Sequence, residues 1–408
     1  MGFLDELQKT IKSDPKTYGG ICDEDFTTKT ELMPFDYLNG QIVTKDTGEK
    51  QLYTGLSNGR CVMIIGKSGT GKSTMAIQMG VNIIKKYDNG LMYVFDFEQN
   101  NTKERIRMVS GISEDYYNNH VAILREGIST ERVLATLSKI KEMKLSHKDD
   151  LLVPNENGIK DKDGNVIPVL TPTVVVIDSL AMMLPDDTLS TEEIQGSMTA
   201  TATAKVNSQF FKKAVQIIQQ ANIILIFVNH ITCNVSIGVT PPSAIVNYLK
   251  QDEAISGGKA ALYVTDTLVK ITASSKLEED KTYGIKGFEA KVEICKSRHA
   301  PAGRSVTMIY DQVNGFRNDL SMLDYIKSNN VLRGNGNGYY FPELPEHKFK
   351  MSTFADKIAT DPELYKCFYD TAERLFASSI RESRNIQAIE TTTEETTAPE
   401  EAPSVEAE

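Results

Sequence analysis

Residues 66–73 read Gly-Lys-Ser-Gly-Thr-Gly-Lys-Ser, and no other segment restricts the possible folds of this chain so strongly. An apolar run of strand length precedes this segment at residues 61–65, and a helical pattern follows it at residues 73–86. The glycines allow a tight turn whose backbone N–H groups can close around an anion. The pattern G-x-x-x-x-G-K-[ST] between a strand and a helix predicts a phosphate-binding loop, against the alternative of a glycine-rich turn without a ligand.

Short apolar runs of the kind found in strands buried on both faces extend through the middle of the chain. Helical patterns separate the earlier runs, which predicts a mainly parallel α/β sheet, and the close spacing of the last runs predicts an antiparallel extension. The predicted strands are residues 61–65, 91–97, 121–124, 173–177, 223–228, 262–271, 288–295 and 306–311. The predicted helices are residues 73–86, 103–109, 130–144 and 205–220.

Polar segments interrupt this alternation and predict surface features. Residues 146–172 carry a hairpin signal at Asp163-Gly164, which indicates a surface excursion. Residues 185–200 and 232–258 each follow a strand end, where α/β proteins hold their ligands. The predicted divisions of the chain are residues 1–28 as an N-terminal helix (3–12), which either packs on the core or serves oligomerisation by docking on another subunit, with a linker, 29–316 as the core, 317–385 as a small α+β C-terminal domain, and 386–408 as a disordered tail.

The net charge of −10 is concentrated at the end of the chain. Residues 386–408 contain seven Glu and no Lys or Arg, so −10 minus −7 leaves −3 for the preceding 385 residues. A tail of this composition cannot bury a core. The body is nearly neutral, so the acidic total does not exclude a polyanionic partner.

The cysteines and the hydropathy pattern exclude several classes of protein. The five Cys lie far apart, with neither a C-x-x-C pair nor a His at metal-ligand spacing, so neither a zinc site nor a disulfide framework is indicated. The apolar runs are only of strand length, and residues 1–14 contain no signal-peptide core. These features predict a cytoplasmic protein in a reducing compartment, without a membrane partner.

The residues around the phosphate-binding loop have the types that nucleotide hydrolysis needs. Lys72 can reach the β- and γ-phosphates, and Ser73 can ligate Mg²⁺ together with Asp178, which ends the apolar run at residues 174–177. Glu98 lies just beyond a strand, where a carboxylate can activate water, although Asp96 competes for this role and a solvated loop acid is the alternative. The predicted nucleotide-binding residues of the loop are Gly66, Lys67, Ser68, Gly69, Thr70, Gly71, Lys72, Ser73 and Thr74.

His230 follows Asn229 at the tip of the predicted strand 223–228. A lone histidine there is often only a satisfied polar group. In the company of Lys72, Asp178 and Glu98, we interpret it as a γ-phosphate sensor.

An ordered set of motifs resembles the RecA recombinase family. The motifs are G-K-S-G-T-G-K-S, F-D-F-E, V-V-V-I-D-S-L, L-I-F-V-N-H, I-S-G-G-K-A and C-K-S-R-H-A-P. Many P-loop ATPases share single motifs, whereas the order and spacing over roughly residues 50–385 make the resemblance specific. S-M-L-D-Y-I and N-G-Y-Y-F are most similar to the T-even phage branch. The resemblance implies an α/β fold with a RecA-like P-loop ATPase core that uses ATP and Mg²⁺.

The resemblance also assigns roles at individual positions. Glu98 matches the family's water-activating glutamate, and His230 stands where bacterial members carry a glutamine that couples the γ-phosphate to a DNA loop. Lys296 and Arg298 match a pair that reaches the γ-phosphate bound by the neighbouring protomer, against the alternative of a surface pair for Glu293 or Asp311. Arg105 stands near the expected adenine position, where a guanidinium can stack on the base.

The two long polar segments match the family's DNA-binding loops. Residues 205, 208 and 212 are spaced for one helical face, where the family places phosphate contacts, although a solvated basic face is the alternative. Gly257 and Gly258 match glycines that offer N–H groups to a DNA phosphate. The predicted DNA-binding residues are Met198, Lys205, Ser208, Lys212, Val235, Ile237, Gly257 and Gly258.

Three functions fit these features to different degrees. The first is a DNA-stimulated ATPase that polymerises on single-stranded DNA into a helical filament and exchanges strands with a homologous duplex, loaded by a mediator and a single-strand-binding protein. A hexameric helicase motor is the second, although such proteins normally carry an N-terminal domain for which about 50 residues leave no room. The third is a non-catalytic paralogue, which the intact Lys72, Ser73, Glu98 and Asp178 oppose.

Overall fold

The computed structural model describes residues 25–44, 48–161, 163–190, 197–233, 253–255, 258–279 and 281–380, with the side chains of residues 197–202, 204, 233, 258 and 259 outside that description. The predicted helix at residues 3–12 and the acidic tail lie outside the described residues, as do Val235, Ile237 and Gly257. Among the described residues, no helix is long and apolar enough to cross a membrane.

The described residues form nineteen strands. The strands are β1 (Thr27–Thr28), β2 (Gln41–Thr44), β3 (Lys50–Tyr53), β4 (Leu56–Ser57), β5 (Cys61–Gly66), β6 (Leu91–Asp96), β7 (Val121–Leu124), β8 (Leu152–Pro154), β9 (Pro168–Leu170), β10 (Thr173–Asp178), β11 (Ile223–Cys233), β12 (Glu253–Ile255), β13 (Thr265–Leu277), β14 (Gly287–Lys296), β15 (Ser305–Asp311), β16 (Gly315–Arg317), β17 (Arg333–Asn335), β18 (Gly338–Phe341) and β19 (Leu344–Phe349).

Most helices follow a strand directly. The α-helices are α1 (Met33–Leu38), α2 (Lys72–Ile84), α3 (Lys103–Ser110), α4 (Glu114–His120), α5 (Thr130–Ser146), α6 (Asp186–Leu189), α7 (Ser197–Gln220), α8 (Gly258–Val264), α9 (Asn318–Ser328), α10 (Phe354–Thr360) and α11 (Pro362–Ser378). Short 3-10 helices occur at Lys148–Leu151, Leu180–Met182 and Met351–Thr353.

A ten-stranded mixed sheet forms the centre of the molecule. Its order is β16-β15-β14-β13-β5-β11-β10-β6-β7, with β12 paired to β11. The strands from β13 to β7 run parallel, and β14, β15 and β16 add an antiparallel extension, as the spacing of the apolar runs predicts. Both faces of the parallel part are covered, which explains why its strands read as unbroken apolar runs.

Two apolar clusters lie on the two faces of the sheet. Along β5, Val62 and Ile64 enter one cluster, whereas Met63 and Ile65 enter the other, as the alternation of side chains along a strand requires. The first cluster also contains Met75 of α2 and Phe368 of α11. The C-terminal helices therefore pack on the same core as the phosphate-binding helix.

Several predicted boundaries are wrong. β11, expected at residues 223–228, continues to Cys233, and β12 lies within residues 232–258, which were expected to form a loop. Residues 262–264, expected to begin a strand, end helix α8, and β13 starts only at Thr265. Helix α7, expected from residue 205, already begins at Ser197. The last four residues of the segment 185–200 are therefore helical, and Asp186–Leu189 forms the short helix α6.

The excursion at residues 146–172 folds as a hairpin, as predicted. β8 and β9 pair antiparallel, and Gly164 near the tip has φ +85°, a conformation that favours glycine. Asn157 in the excursion accepts a 2.8 Å hydrogen bond from the backbone N–H of Thr27. This hydrogen bond connects the excursion to β1.

Candidate active site

The carboxyl ends of the parallel strands bring Asp178, His230 and the phosphate-binding loop to one edge of the sheet. Asp178 at the end of β10 is in register with Asp96 on β6 and with Val228 on β11. His230, two residues further along β11, is in register with Gly66, where the phosphate-binding loop begins. Residues far apart in the sequence therefore meet at the edge where α/β proteins bind ligands.

The loop between β5 and α2 has the backbone that an anion site needs. Gly69 and Gly71 have φ values of +76° and +85°, in the left-handed region that favours glycine. Gly71 precedes α2 and provides no side chain to cap it, so the first N–H groups of the helix remain for a ligand. At Gly66, a Cβ would lie 2.5 Å from the carbonyl oxygen of Ile271, so glycine is required there by packing.

Lys72 lies in the first turn of α2 with its ammonium group directed back to the loop. Its Nζ donates to the carbonyl oxygen of Lys67 at 2.8 Å, and the residue is 5% exposed. Burial lowers the pKa of Lys72, and the negative charges of Asp178 and Glu98 oppose this effect. The loop thus holds a buried cation directly beside the site's carboxylates.

Asp178 is almost fully buried, and only one of its two carboxylate oxygens accepts a hydrogen bond of normal geometry from the described residues. Asn101 Nδ2 donates to its Oδ2 at 2.9 Å, whereas no described residue donates to its buried Oδ1 within normal geometry. Burial raises the pKa of Asp178, and the nearby donors Asn101 and Ser73 reverse only part of the effect. The Ser73 hydroxyl lies near Asp178, whose buried Oδ1 has no hydrogen-bond donor of normal geometry among the described residues. Two such oxygen atoms fit a site for Mg²⁺ or for a water molecule bound to Mg²⁺.

Glu98 lies on the turn after β6 and is bound by three side chains. Ser179 Oγ donates to its carboxylate, His230 Nε2 lies 2.7 Å from Oε1, and Asn100 Nδ2 donates to Oε2 at 3.2 Å. Burial alone would raise the pKa of Glu98, but the hydrogen bonds from Ser179 and His230 prevail, and the net pKa is lowered. Glu98 is therefore ionised and partly accessible, as a general base must be.

Asp96, the alternative base, has a different environment. It is fully buried and accepts hydrogen bonds from the backbone N–H groups of Asn100 and Asn101 at 3.1 and 3.0 Å. Arg125 Nε donates to it at 3.1 Å. Asp96 therefore builds the turn that presents Glu98, and its occupied oxygens leave it poorly suited to accept a proton from water.

His230 connects the site to the segment beyond β11. Its backbone N–H donates to Asn229 Oδ1 at 2.8 Å, while its ring contacts Glu98. The strand continues to Cys233 and pairs with β12, so both ends of the segment 234–252 are attached to the sheet. One continuous strand therefore connects the residue that contacts Glu98 to Cys233.

Arg105, expected near an adenine base, is engaged by the turn between β15 and β16. Its Nη1 donates to the carbonyl oxygens of Gln312 at 2.9 Å and Val313 at 2.7 Å, and its Nη2 donates to Tyr310 Oη at 3.1 Å. A Cβ on Gly71 would lie 3.0 Å from the Tyr310 ring. Tyr310 thus borders the phosphate-binding loop, with Arg105 behind its hydroxyl.

Lys296 and Arg298 lie towards the amino ends of the parallel strands, opposite the carboxyl edge that carries the loop. Lys296 Nζ donates to the carbonyl oxygens of Leu262 at 2.7 Å and Thr265 at 2.6 Å, and Arg298 Nη2 lies 3.5 Å from the carbonyl of Tyr263. Thr265 is six residues before the point where β13 reaches the loop, a distance of about 20 Å.

Glu293 and Asp311, the alternative partners of this pair, have other cations. Lys291 lies 3.0 Å from Glu293, and Arg317 lies 3.8 Å from Asp311. The nearest carboxylate to Arg298 among the described residues is Asp266, whose Oδ1 lies 4.0 Å from Nε. The exposed guanidinium of Arg298 is therefore held only weakly within its own chain.

Three of the predicted DNA-binding residues share a described surface. Lys205 and Lys212 on α7 are exposed and Ser208 between them is half-buried, as their spacing predicts. Met198 lies in the first turn of α7, with its side chain outside the described part, and Gly258 begins α8.

Sequence reasoning missed three residues of the site: Asn101, Ser179 and Tyr310. Ser179 is adjacent to Asp178, and its position directly after a strand end was a usable signal. Asn101 lies in the polar stretch E-Q-N-N-T, which has no pattern that separates a buried amide from solvated ones.

Comparisons with known proteins agree with this architecture. Residues 162–315 match the family model of the RecA N-terminal domain. The matched segment contains Asp178, His230 and Lys296, whereas the phosphate-binding loop precedes it. The sheet order and this match define the fold as α/β with a RecA-like core.

Several curated relatives carry the name Protein RecA. The chain is 24% identical over 257 residues to that of Wolbachia pipientis subsp. Culex pipiens (61% of this chain, 57% of the relative). It is 27% identical over 177 residues to that of Ureaplasma parvum (41% and 46%) and 21% identical over 287 residues to that of Pseudomonas putida (70% and 67%). The chain spans 57% of the length of the first of these relatives, and its similarity to these RecA proteins is at low identity.

Proposed function

We propose that this chain is a RecA-family recombinase that binds ATP and Mg²⁺, polymerises on single-stranded DNA and exchanges strands with a homologous duplex. The observation that carries the proposal is the division of one catalytic set between two edges of the sheet. Lys72, Ser73, Asp178 and Glu98 meet at the carboxyl edge. The ammonium group of Lys296 and the guanidinium group of Arg298 lie near the start of β13, about 20 Å along that strand from the loop.

The residues at the carboxyl edge support ATP hydrolysis. The N–H groups of the loop and Lys72 bind the phosphates, and Glu98, held ionised by Ser179 and His230, takes the proton of the attacking water. Ser73 and Asp178 would hold Mg²⁺, which would supply positive charge against the phosphates of ATP.

The position of Arg298 supports a site completed by a second copy. This exposed guanidinium cannot reach the phosphates of its own chain across about 20 Å. A neighbour stacked head to tail would bring its carboxyl edge against Lys296 and Arg298, which then stabilise the charge on the γ-phosphate. Head-to-tail contacts of this kind generate rings or helical filaments.

The strand β11 supports coupling between ATP and DNA. His230 contacts Glu98 at 2.7 Å, and the same strand leads into residues 232–258, which we assign with residues 185–200 to DNA binding. Lys205 and Lys212 on α7 supply phosphate contacts, and base pairing rather than side chains supplies the recognition of homology.

Within the family we place the chain with the UvsX type of T-even phages. The assignment rests on His230 in the position of the bacterial glutamine and on S-M-L-D-Y-I and N-G-Y-Y-F in the C-terminal region. A recombination mediator and a single-strand-binding protein are the expected loading partners of an enzyme of this type.

The test is ATP hydrolysis with and without single-stranded DNA, with negative-stain imaging of the same samples. We expect filaments and DNA-stimulated turnover in the wild type, and loss of turnover with retained nucleotide binding in Lys296→Ala and Arg298→Ala. Lys291→Ala, on the same strand and paired with Glu293, is the matched control and should resemble the wild type. Closed rings would instead indicate a helicase motor, and absence of turnover would indicate a non-catalytic paralogue.

A further inference from the structure

The side chain of Asn101 lies between two buried carboxylates. Its Nδ2 donates to Asp178 Oδ2 at 2.9 Å and to Asp96 Oδ1 at 3.0 Å. Asn101 is 6% exposed, so both hydrogens of the amide are used inside the protein. Because both neighbours are acceptors, only the NH₂ group and not the carbonyl can face them.

Asn101 is itself held at its backbone. Its N–H donates to Asp96 Oδ2 at 3.0 Å, and its carbonyl oxygen accepts from Arg125 Nη2. Arg125, which directly follows β7, also donates from Nε to Asp96 Oδ2 at 3.1 Å. A continuous set of hydrogen bonds therefore runs from Arg125 through Asp96 and Asn101 to Asp178.

This arrangement determines which oxygen of Asp178 is available. Oδ2 is occupied by Asn101, whereas Oδ1 is buried and receives no hydrogen bond of normal geometry from the described residues, although the Ser73 hydroxyl is near. Rotation of the carboxylate would break the bond from Asn101 and leave a buried amide hydrogen without an acceptor, which is costly. Asn101 thus fixes the plane of the carboxylate, with Oδ1 left for a ligand.

We propose that Asn101 is a positioning residue for the Mg²⁺ site, and that Asp96 and Arg125 hold it in place so that Asp178 presents one fixed oxygen to the metal. The inference deepens the proposed function and rests on it, because it concerns the Mg²⁺ that accompanies ATP. Partners that orient a metal-binding carboxylate typically change metal affinity about 10- to 100-fold.

The experiment measures binding of a fluorescent ATP analogue to the full-length chain while Mg²⁺ is titrated. In Asn101→Ala we expect the Mg²⁺ concentration for half-maximal binding to rise about 10-fold. Asn101→Asp, which has the same shape but places a third acceptor against two carboxylates, should raise it further. Binding of the analogue in EDTA should stay unchanged in both variants, since Lys72 and the loop are intact.

Two further variants complete the design. Asn118→Ala removes an exposed amide on α4 that accepts from Lys103 at 3.1 Å, and it should titrate like the wild type. Arg125→Met removes the cation that holds Asp96 and should shift the Mg²⁺ titration in the same direction as Asn101→Ala, by a smaller factor. If Asn101→Asp does not fold, Asn101→Ala and Arg125→Met decide the question.

An unchanged Mg²⁺ titration in Asn101→Ala and Arg125→Met, accompanied only by a lower melting temperature, would overturn the inference and leave Asn101 with a purely structural role. If the wild-type chain fails to bind the ATP analogue at every Mg²⁺ concentration, the proposed function is overturned, and the inference fails with it. The wild-type titration therefore separates the two failures.

Discussion

His230 Nε2 lies 2.7 Å from Glu98 Oε1, so the carboxylate suited to activate water is bound by the residue that leads into the segment 234–252. Glu98 lies on the turn after β6, whereas His230 lies on β11, which is two strands away from β6 in the sheet. The contact joins the expected site of hydrolysis to the strand that leads into one of the expected DNA-binding segments.

Replacement of Glu98 by glutamine should remove hydrolysis and leave binding intact. The amide keeps the shape and can still accept one hydrogen bond, but it cannot take a proton from water. We expect kcat to fall about 100- to 10,000-fold, with the affinity for an ATP analogue nearly unchanged. Glu142→Gln, on the exposed face of α5, is the control, and equal loss of turnover in both variants would refute the assignment.

Loss of the histidine donor should change the pH dependence of turnover. Hydrogen bonds from Ser179 and His230 lower the pKa of Glu98 against the effect of burial. In His230→Ala that pKa rises, so the base becomes protonated at a higher pH and the acidic limb of the kcat/KM profile shifts upward. Ser179→Ala should shift the limb in the same direction, and His230→Gln, which keeps a donor, should shift it less. A limb that does not move in either alanine variant would contradict this account.

Gly66 should tolerate no side chain. A Cβ there would lie 2.5 Å from the carbonyl oxygen of Ile271 and 2.8 Å from Thr70 Oγ1. We expect Gly66→Ala to lower the free energy of unfolding by about 1–3 kcal/mol and to weaken nucleotide binding, because the first residue of the loop must move. Gly336→Ala, where a Cβ meets nothing within 4 Å, should leave both unchanged in denaturation and binding assays.

Lys144 should make the stability of the chain depend on pH. Its ammonium is buried among the oxygens of Thr171, Thr173 and Asn222, and burial lowers its pKa to about 7. Between pH 7 and the ordinary lysine pKa of 10.5, the unfolded chain binds this proton and the folded chain does not, so the contribution of this group to stability increases with pH. Below pH 7 its contribution is constant.

Urea unfolding at pH 7 and pH 9 tests this prediction. Lys144→Met should show a smaller gain in the free energy of unfolding between the two pH values than the wild type. Lys139→Met, at an exposed position of the same helix, should keep the wild-type gain. Identical gains in all three proteins would show that Lys144 does not titrate in this range.

The parallel strands could be predicted because each is a short apolar run next to a helical pattern, whereas their order in the sheet came only from the structure. The phosphate-binding loop could also be predicted from the sequence, because its glycines and Lys72 act through local backbone geometry. The C-terminal edge of the sheet then brought Asp178 and His230 to the loop, as the general rule for α/β proteins requires.

The start of β13 could not be predicted because its cause is non-local. Residues 262–264 are apolar, and two of the three are types that favour strands, yet they end helix α8. Lys296, more than thirty residues away in the sequence, donates to the carbonyl oxygen of Leu262 and so satisfies a carbonyl that the helix end leaves open. Asn101 was missed for a similar reason, since its two carboxylate partners come from different strands.

Mixing two inactive variants tests the central claim, a catalytic site shared between two copies. Glu98→Gln lacks the base but keeps Arg298, whereas Arg298→Ala keeps a complete loop and base. If Arg298 acts on the neighbour's ATP, filaments formed from equal amounts of both contain interfaces with every group present, and DNA-stimulated hydrolysis should return to about a quarter of the wild-type rate. A mixture no more active than its separate components would contradict the account.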